Sequence, residues 1–274
     1  MSIKTLPKLG TGTYIIREDA ARDLFAVMEK LAAMGYDGIE LLGFSGKKPE
    51  DIRAKADSLG ITVMGDHVQA KAFLDAPERT IADHLALGVE TMVLSWPGDV
   101  TRSPWLPEHQ AFVSKVAGLC ELCLKAGIQP LFHNHGGDFE SSPAHFDAVL
   151  DAIPGMAAEP DIGWMVVAGV DPIYYLEKYK DRTPVIHLKD VYFENANLLG
   201  DKDHLPLERG DASRGRFEFR PTGYGVVQNA LFAPYYLACQ PKWILIDHDL
   251  AYDRDPYEDL RMSLEYVKGL LKVS

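Results

Sequence analysis

The sequence predicts a single α/β domain of 274 residues that folds as a (β/α)8 barrel. Three observations support this prediction: amphipathic helices that end at glycine and are followed at once by an apolar strand, eight such strands along the chain, and no change of composition between them. Uninterrupted alternation of strand and helix makes neighbouring strands pair in parallel, and eight such units close a barrel.

The repeated unit is clearest in LAAMGYDGIELLGF, ADSLGITVMGDHV, LALGVETMVLSW and CLKAGIQPLFHNH. Glycine is favoured directly after a helix, because that position often adopts left-handed backbone angles. The predicted strands are residues 8–14, 36–42, 61–67, 90–96, 128–133, 156–161, 184–188 and 242–247. An open doubly wound sheet is the alternative, but GTGTY after the first strand lacks the GxGxxG spacing that such a sheet uses for phosphate.

Helix starts are predicted where a residue with a side-chain acceptor precedes proline. This arrangement occurs at Ser142-Pro143, Asp171-Pro172 and Asp255-Pro256. The acceptor caps free backbone N–H groups, and proline fits the first helical position because its missing N–H has no helical partner there.

One connection, residues 192–222, is much longer than the others. Loops of this length inside a compact domain are usually functional or disordered. The segment is too rich in aromatic and apolar residues for a simple linker, so we expect a lid over the active site. It contains Arg209, Arg214, Arg216 and Arg220. A phosphorylated substrate would explain these arginines, and so would solvated charges or a subunit interface.

The composition and the net charge exclude several classes of protein. Hydrophobic residues make up 47% of the chain and charged residues 25%, which is ordinary for a globular domain. The formal net charge of -12 argues against a nucleic-acid partner, whose phosphates require Lys and Arg. The sequence contains neither a signal-peptide pattern nor a run of about 18 apolar residues, so we expect a cytoplasmic protein with no membrane partner. Homo-oligomerisation is compatible with the sequence.

Two of the three cysteines form a CxxC pattern, Cys120 and Cys123, within the predicted helix AFVSKVAGLCELCLKAG. Both fall on the apolar stripe of that helix. A reduced, buried cysteine behaves as a small hydrophobic residue, so we interpret the pair as core packing rather than as a redox or metal motif.

Polar and aromatic side chains collect where the predicted strands end. In a parallel barrel the carboxyl ends of the strands form the active face. The candidates there are Glu40, His67, Trp96, His133, His135, Asp161, Trp164, His187, Lys189 and Asp247. Each has a structural alternative: His67 and His248 could be hydrogen-bonded structural residues, and Lys189 could form an ion pair with Asp190. Because five of the nine histidines share this face, we expect a common ligand.

Strands five to eight supply the predicted metal ligands. These strands are adjacent in a barrel, and they end at His133, Asp161, His187 and Asp247. Two imidazoles and two carboxylates make a mixed nitrogen and oxygen site that suits Mn, Fe, Co or Zn. We expect one divalent ion, Mn²⁺, with Co²⁺, Zn²⁺, Fe²⁺ and Mg²⁺ as alternatives.

Six stretches in order, MGYDGIEL, LFHNHGGDFE, EPDIGWMVVAGVDP, PVIHLKD, TGYGVV and WILIDHDLAYDRDP, resemble the xylose isomerase-like TIM-barrel superfamily. That superfamily includes sugar phosphate isomerases and epimerases and inosose-processing enzymes. The resemblance implies a divalent ion held by Glu, Asp, His and Glu from strands five to eight. Here His133 and Asp247 stand in place of the two glutamates, which puts a paired-glutamate mechanism in doubt. The branches that carry HNH and the inosose dehydratases are more similar, and Glu140 is a second candidate ligand or base.

The predicted function is a metal-dependent sugar or cyclitol isomerase or epimerase, which moves a proton next to a carbonyl through a metal-stabilised enediolate. The expected catalytic residues are His133, Glu140, Lys189 and Asp247. The expected substrate-binding residues are Glu40, His67, Trp96, His135, Trp164 and Arg220. The substrate would be a sugar, a sugar phosphate or an inositol derivative. A keto-sugar or inosose dehydratase, an endonuclease IV-type phosphodiesterase and a non-catalytic sugar-binding barrel are the alternatives.

Overall fold

The computed structural model describes residues 6–193 and 217–273. Within these ranges the strands are β1 (Lys8–Gly12), β2 (Gly38–Leu41), β3 (Thr62–Gln69), β4 (Thr91–Ser95), β5 (Gln129–His133), β6 (Ala157–Glu159), β7 (Val185–Leu188), β8 (Asp190–Phe193), β9 (Phe217–Arg220) and β10 (Trp243–Ile246). All of these except β8 and β9 belong to one eight-stranded sheet, and these eight coincide with the eight predicted strands.

Helices alternate with these strands along the described chain. They are α1 (Arg17–Met34), α2 (Pro49–Leu59), α3 (Ala70–Asp75), α4 (Pro77–Leu87), α5 (Pro107–Lys125), α6 (His145–Ala152), α7 (Ile162–Val167), α8 (Pro172–Lys178), α9 (Asn229–Ala238) and α10 (Pro256–Val273). Short 3₁₀ helices cover Gly136–Phe139 and Lys180–Arg182. Eight parallel strands with this alternation confirm the predicted (β/α)8 class.

Most of the predicted helix ends are confirmed. Gly35, Gly60 and Gly88 follow α1, α2 and α4 with left-handed φ angles of 88°, 70° and 80°. Asp255 and Asp171 accept backbone N–H groups of α10 and α8, each at 2.9 Å.

The start predicted at Ser142-Pro143 is wrong, because α6 begins at His145. The Pro143 carbonyl instead accepts the Ser141 hydroxyl at 2.8 Å, in the turn that precedes the helix.

By internal contacts the chain divides into two units. The first unit consists of the described parts of residues 1–15, 134–140 and 159–274, and the second unit consists of residues 16–133 and 141–158. The prediction of a single domain over residues 1–274 stays a prediction.

The first unit contains three parallel strands in the order β1, β10, β7. Lys8 pairs with Trp243, and Leu245 pairs with His187. An isolated parallel bridge between Asp161 and His187 places the residue two positions after β6 beside β7. The ladder therefore brings chain segments that are far apart in sequence to the same level at their carboxyl ends.

The second unit contains four parallel strands in the order β2, β3, β4, β5. The register between β2 and β3 shifts by one residue between Ile39 and Glu40. A bulge of this kind locally changes the direction of the side chains. It lies immediately before Glu40, one of the predicted substrate-binding residues.

The described ends of the predicted lid form a hairpin stem. Strands β8 and β9 pair antiparallel, from Asp190 opposite Arg220 to Phe193 opposite Phe217. Residues 194–216, with Arg209, Arg214 and Arg216, lie outside the described residues. The lid over residues 192–222 stays a prediction.

The CxxC pair packs in the core, as predicted. Cys120 and Cys123 are 1% and 0% exposed, and burial raises the pKa of both thiols to about 12. The Cys123 sulfur lies 3.9 Å from the sulfur of Met92 on β4. Among the described residues, no helix combines the length and the apolar character that crossing a membrane requires.

Candidate active site

Six ionisable side chains of the first unit gather at the ends of β6, β7 and β10. They are Glu159, Asp161, His187, Lys189, Asp247 and Asp249, which we call the acidic cluster. All of them except Asp249 are at least 97% buried. Buried charges are rare unless they are paired or bind a metal, so this cluster is the main candidate for a functional site.

Asp161 is held by both its backbone and its side chain. Its backbone N–H donates to the Asn134 amide oxygen at 2.9 Å, and its carbonyl accepts from the same amide group at 3.2 Å. One carboxylate oxygen, Oδ1, caps α7 by accepting the Trp164 N–H at 2.8 Å. The second oxygen, Oδ2, lies 3.8 Å from His187 Nδ1 and 3.5 Å from Lys189 Nζ. This fixed carboxylate is therefore directed into the acidic cluster.

His187 has a different neighbour at each ring nitrogen. Nε2 is hydrogen-bonded to Asp247 Oδ1. Nδ1 lies 3.8 Å from Asp161 Oδ2 and also 3.8 Å from Glu159 Oε1. Gly12 on β1 leaves room for this arrangement, since a Cβ atom there would lie 2.4 Å from Asp247 Oδ2.

Lys189 lies between carboxylates and aromatic rings. Its ammonium group forms an ion pair with Asp249 and lies 3.9 Å from Asp247 Oδ1. It also lies 5.8 Å from the ring centroids of Trp164 and of Phe219. The predicted alternative of a Lys189–Asp190 ion pair is wrong, because Lys189 turns to Asp249.

The charges in the cluster shift one another's pKa values. Burial raises the pKa of Asp161 above its ordinary value, although the positive charges of Lys189 and His187 oppose the rise. Burial also opposes ionisation of Asp247, but His187 and Lys189 outweigh it and lower the pKa of that carboxyl. For Lys189, burial favours the neutral amine, yet Asp249, Asp161 and Asp247 together raise its pKa. Lys189 is therefore held as an ammonium ion.

The pKa of His187 is also set by a balance between burial and the neighbouring charges. Burial lowers its pKa, but the carboxylates of Asp247 and Asp161 outweigh burial, and the net pKa lies above the ordinary value for histidine. The cluster thus attracts positive charge at this imidazole. One imidazole nitrogen with carboxylate oxygens around it also forms a donor set that fits a borderline divalent ion such as Mn²⁺ or Zn²⁺.

The second unit brings together three other predicted site residues. Glu40 is 2% exposed, and its Oε2 lies 2.8 Å from His67 Nε2. The His67 ring makes an edge contact with the His133 ring, with centroids 5.5 Å apart. A carboxylate that orients an imidazole is a usual arrangement for proton transfer. The assignment of His133 as a metal ligand stays a prediction.

The remaining predicted residues differ in their surroundings. The Trp96 ring packs among α5 and α6, with its centroid 4.4 Å from that of His145. Trp164 is 4% exposed, and its ring centroid lies 5.8 Å from that of the exposed His135. Arg220 pairs with Glu218 at 2.5 Å on the hairpin.

Glu140 is exposed, directly after the 3₁₀ helix Gly136–Phe139. Its predicted catalytic role stays a prediction.

His248 has the structural role given as its alternative. It is fully buried, and its Nε2 lies 3.0 Å from Asp259 on α10. The sequence reasoning missed Glu159 and did not choose Asp249. Glu159 could have been found from its spacing, because residues two apart in an extended chain point to the same side, and Asp161 follows it by two.

Comparison with known proteins agrees with this architecture. Residues 28–226 match the family described as "Xylose isomerase-like TIM barrel". This chain belongs to that family. The resemblance inferred from the six sequence stretches is thereby confirmed.

Relatives of this xylose isomerase-like chain include inosose dehydratases. That of Geobacillus kaustophilus (strain HTA426) is 23% identical over 271 residues, which cover 89% of this chain and 86% of the relative. That of Lacticaseibacillus casei is 26% identical over 173 residues, 61% of this chain and 56% of the relative.

Solved structures share the fold. A sugar phosphate isomerase/epimerase from Parabacteroides distasonis ATCC 8503 has a TM-score of 0.72 at 18% identity, over 95% of this chain and 98% of that protein. A probable 3-DHS dehydratase from Bacillus anthracis has a TM-score of 0.71 at 13% identity, over the same shares of the two chains.

Proposed function

We propose that this chain is a metal-dependent enzyme that removes a proton next to the carbonyl of a keto-sugar or an inosose. The observation that carries the proposal is the acidic cluster, in which a buried His187 and Asp161 lie beside a buried, protonated Lys189. A divalent ion held by Asp161 and His187 would supply Lewis-acid polarisation of a substrate carbonyl.

Lys189 is placed to stabilise negative charge and to protonate a strongly basic leaving group such as hydroxide. Its raised pKa keeps it charged at neutral pH, so it is an acid and an electrostatic partner rather than a base. An ammonium beside the reacting carbons can protonate a departing hydroxyl or stabilise an oxygen that gains negative charge. His133 as the base that accepts the substrate proton stays a prediction.

Among the reactions that begin in this way, we propose elimination of water. The C–H proton leaves to a base, a double bond forms next to the carbonyl, and the β-hydroxyl departs as water with a proton from Lys189. Two facts support this choice. Lys189 is protonated. A relative that matches most of the chain is named inosose dehydratase. The predicted isomerase or epimerase shares the first step and stays a prediction.

The test is to incubate keto-sugars and inososes with the Mn²⁺-loaded protein in deuterated water and to follow the reaction by NMR. We expect loss of water from one class of substrate and formation of a 2-hydroxy-enone or its 1,2-dione tautomer. Exchange of C–H for deuterium with the carbon skeleton and hydroxyls retained would indicate isomerase or epimerase chemistry instead.

A second test is Asp161→Asn, which has nearly the same shape but lacks the only negative charge of the two proposed ligands. We expect this variant to lose Mn²⁺ and all activity. If the wild-type protein binds no divalent ion and exchanges no substrate proton, the proposed enzyme function is wrong.

A further inference from the structure

We propose that Tyr252 and Arg254 are positioning residues, which fix Phe219 beside Lys189 by holding both backbone polar groups of Phe219. We call these two side chains the Phe219 clamp. All four residues belong to the first unit. The inference deepens the proposed function and its catalytic part rests on that function, because Lys189 acts in the reaction proposed above.

Phe219 on β9 forms, together with Trp164, an aromatic wall beside Lys189. The Phe219 ring centroid lies 5.8 Å from the Lys189 ammonium nitrogen and 5.7 Å from the centroid of Trp164, which it meets edge to face. Phe219 is 1% exposed. An aromatic ring close to an ammonium group stabilises its charge and keeps water away from it. The position of Phe219 therefore determines the surroundings of this ammonium group.

The backbone of Phe219 is not hydrogen-bonded to the residue that lies opposite it on β8. That residue is Val191. The Val191 N–H donates to Asp190 Oδ1 at 2.8 Å, and the Val191 carbonyl accepts the Val226 N–H at 2.7 Å. Antiparallel strands alternate between pairs that exchange hydrogen bonds and pairs that do not, and this pair is of the second kind. Both polar groups of Phe219 thus point away from β8, and because they are buried they require other partners.

The Phe219 clamp supplies both partners. The Phe219 N–H donates to the Tyr252 hydroxyl oxygen at 3.1 Å, and the Phe219 carbonyl accepts from Arg254 Nη2 at 2.8 Å. In the described part of the chain, β9 has β8 as its single neighbouring strand. An edge strand presents unpaired N–H and C=O groups on its open side. Two side chains of the loop 247–255 therefore take the place that a third strand would fill.

Arg254 is itself oriented by α10. Its Nε donates to the two carboxylate oxygens of Asp259 at 3.1 Å and 2.9 Å. Asp259 is 2% exposed, and it is also hydrogen-bonded to His248 Nε2 at 3.0 Å. The guanidinium carbon of Arg254 lies 5.7 Å from the Tyr252 ring centroid. A planar guanidinium that bonds a carboxylate and a carbonyl at once has little freedom to move, so the clamp is tied to the helix that follows it.

The backbone of the loop supports a functional reading of the clamp. Tyr252 has a left-handed φ of 58°, which residues with a Cβ atom rarely adopt. Such conformations cost free energy, and they are concentrated at functional sites. The same loop carries Asp247 and Asp249 of the acidic cluster. One loop therefore fixes the carboxylate that pairs with Lys189 and, through the clamp, the ring that lies beside Lys189.

The experiment weakens each arm of the clamp in the full-length, Mn²⁺-loaded protein. Tyr252→Phe keeps the ring and removes the hydroxyl that accepts the Phe219 N–H. Arg254→Lys keeps the charge beside Asp259 but lacks the second arm that reaches the Phe219 carbonyl.

The matched controls make the same chemical changes elsewhere in the first unit. Tyr174→Phe alters a tyrosine on α8 that is 54% exposed. Arg261→Lys alters an arginine of α10 whose ion pairs with Glu258 and Glu265 are exposed. Both controls should match the wild type in every measurement.

Two kinds of measurement are made on each variant. NMR follows the exchange of the Phe219 amide proton in deuterated water and the contact between the rings of Phe219 and Trp164. Steady-state kinetics with an inosose gives kcat and KM. We expect Tyr252→Phe to exchange the Phe219 amide about tenfold faster, since its hydrogen bond is lost. Both clamp variants should weaken the ring contact and lower kcat by about 10–100-fold, with KM and Mn²⁺ content retained, because small displacements near reacting groups are costly.

A double-mutant cycle separates positioning from a general loss of stability. If the clamp acts through the aromatic ring, Tyr252→Phe should change kcat by less than about twofold when Phe219→Ala is already present. If circular dichroism shows that Phe219→Ala does not fold, Phe219→Leu takes its place, since it removes the ring and leaves a smaller cavity.

Equal losses of kcat with and without the Phe219 ring would overturn the inference. So would faster amide exchange with an unchanged kcat, because the clamp would then only stabilise the hairpin. A wild-type protein that converts no keto-sugar or inosose would refute the proposed function. The NMR measurements would then decide by themselves whether Tyr252 and Arg254 hold Phe219 in place, and an unchanged ring contact in both variants would refute the clamp as well.

Discussion

At the scale of the residue, Lys189 combines a positive charge with an unusual environment. Two aromatic rings, Trp164 and Phe219, lie on its apolar sides, and Asp249 and Asp161 lie on its acidic sides. Aromatic faces and carboxylates both favour the ammonium form. The side chain is therefore held as an ammonium ion beside the carboxylates of the acidic cluster.

Replacing Lys189 tests whether catalysis requires a proton from this side chain or only its positive charge. We expect Lys189→Gln to lower kcat by about 10²–10⁴-fold, the usual contribution of a positioned acid, with Mn²⁺ content retained. Lys189→Arg keeps the positive charge, but a guanidinium does not release its proton, so we expect a similar loss. Steady-state kinetics together with metal analysis measure both effects. Full activity in Lys189→Arg would show that only the charge is used.

At the same scale, the sequence identified most of the cluster but not all of it. Four members could be predicted because each lies at the end of an apolar run that is typical of a strand: Asp161, His187, Lys189 and Asp247. Glu159 is easily missed because it stands within such a run and before a proline, and only its spacing of two residues from Asp161 points to it. The partners of His187 lie 26 and 60 residues away, and no local pattern encodes such contacts.

At the scale of the element, the loop after β9 is folded around one carboxylate. Asp190 is fully buried and accepts backbone N–H groups from Val191 at 2.8 Å, Gly223 at 2.9 Å, Val227 at 3.0 Å and Gly225 at 3.1 Å. Four donors on one carboxylate fix the course of the chain from β8 to this loop. These hydrogen bonds account for the two glycines of the TGYGVV stretch, Gly223 and Gly225.

Gly225 gives a direct test of that loop. A Cβ atom there would lie 2.1 Å from Asp190 Oδ1 and 2.2 Å from the Val191 carbonyl oxygen. We expect Gly225→Ala to reduce the free energy of unfolding by about 3–5 kcal/mol, since the backbone must move and hydrogen bonds to Asp190 break. Urea denaturation measures the change.

The matched control is Gly118→Ala in the exposed face of α5, where an added Cβ meets no atom within 4 Å. Alanine is the better helix former, so this variant should gain about 0.5–1 kcal/mol. Equal stabilities of the two variants would contradict the role assigned to the loop.

At the scale of the whole molecule, stability should depend on pH through a buried histidine far from the acidic cluster in sequence. His109 on α5 is 2% exposed, and its ring packs against Trp96 and His145 with centroids 5.2 Å and 5.0 Å away. Burial, with a smaller contribution from His145, lowers the pKa of His109 to about 4. The folded protein therefore keeps this ring neutral where the unfolded chain would protonate it.

The direction of the pH dependence follows from this difference between the folded and the unfolded chain. The contribution of His109 to stability is complete above a pH of about 6.5, the pKa of histidine in the unfolded chain. It is lost as the pH falls towards about 4. Between about pH 7 and pH 4.5 we expect a loss of roughly 2–3 kcal/mol from this group. In His109→Phe that share of the pH dependence should disappear, as measured by urea denaturation at both pH values. Identical pH dependence in the wild type and the variant would refute this role.

The fold class could be predicted from sequence because its signals are local. Each of the eight strands is a short apolar run after a glycine or a turn, and the predicted positions agree with the structure to within about two residues at most ends. The β8–β9 hairpin was not predicted, since its two strands are separated by a long connection and pair only through contacts distant in sequence.

The pairing of Phe193 with Phe217 joins two positions that are 24 residues apart in the sequence. A segment anchored in this way can change its length or its sequence with little effect on the strands that hold it. The hairpin is therefore a natural graft point, where the sequence between its two strands can be exchanged while the pairing that holds both ends of that sequence stays the same.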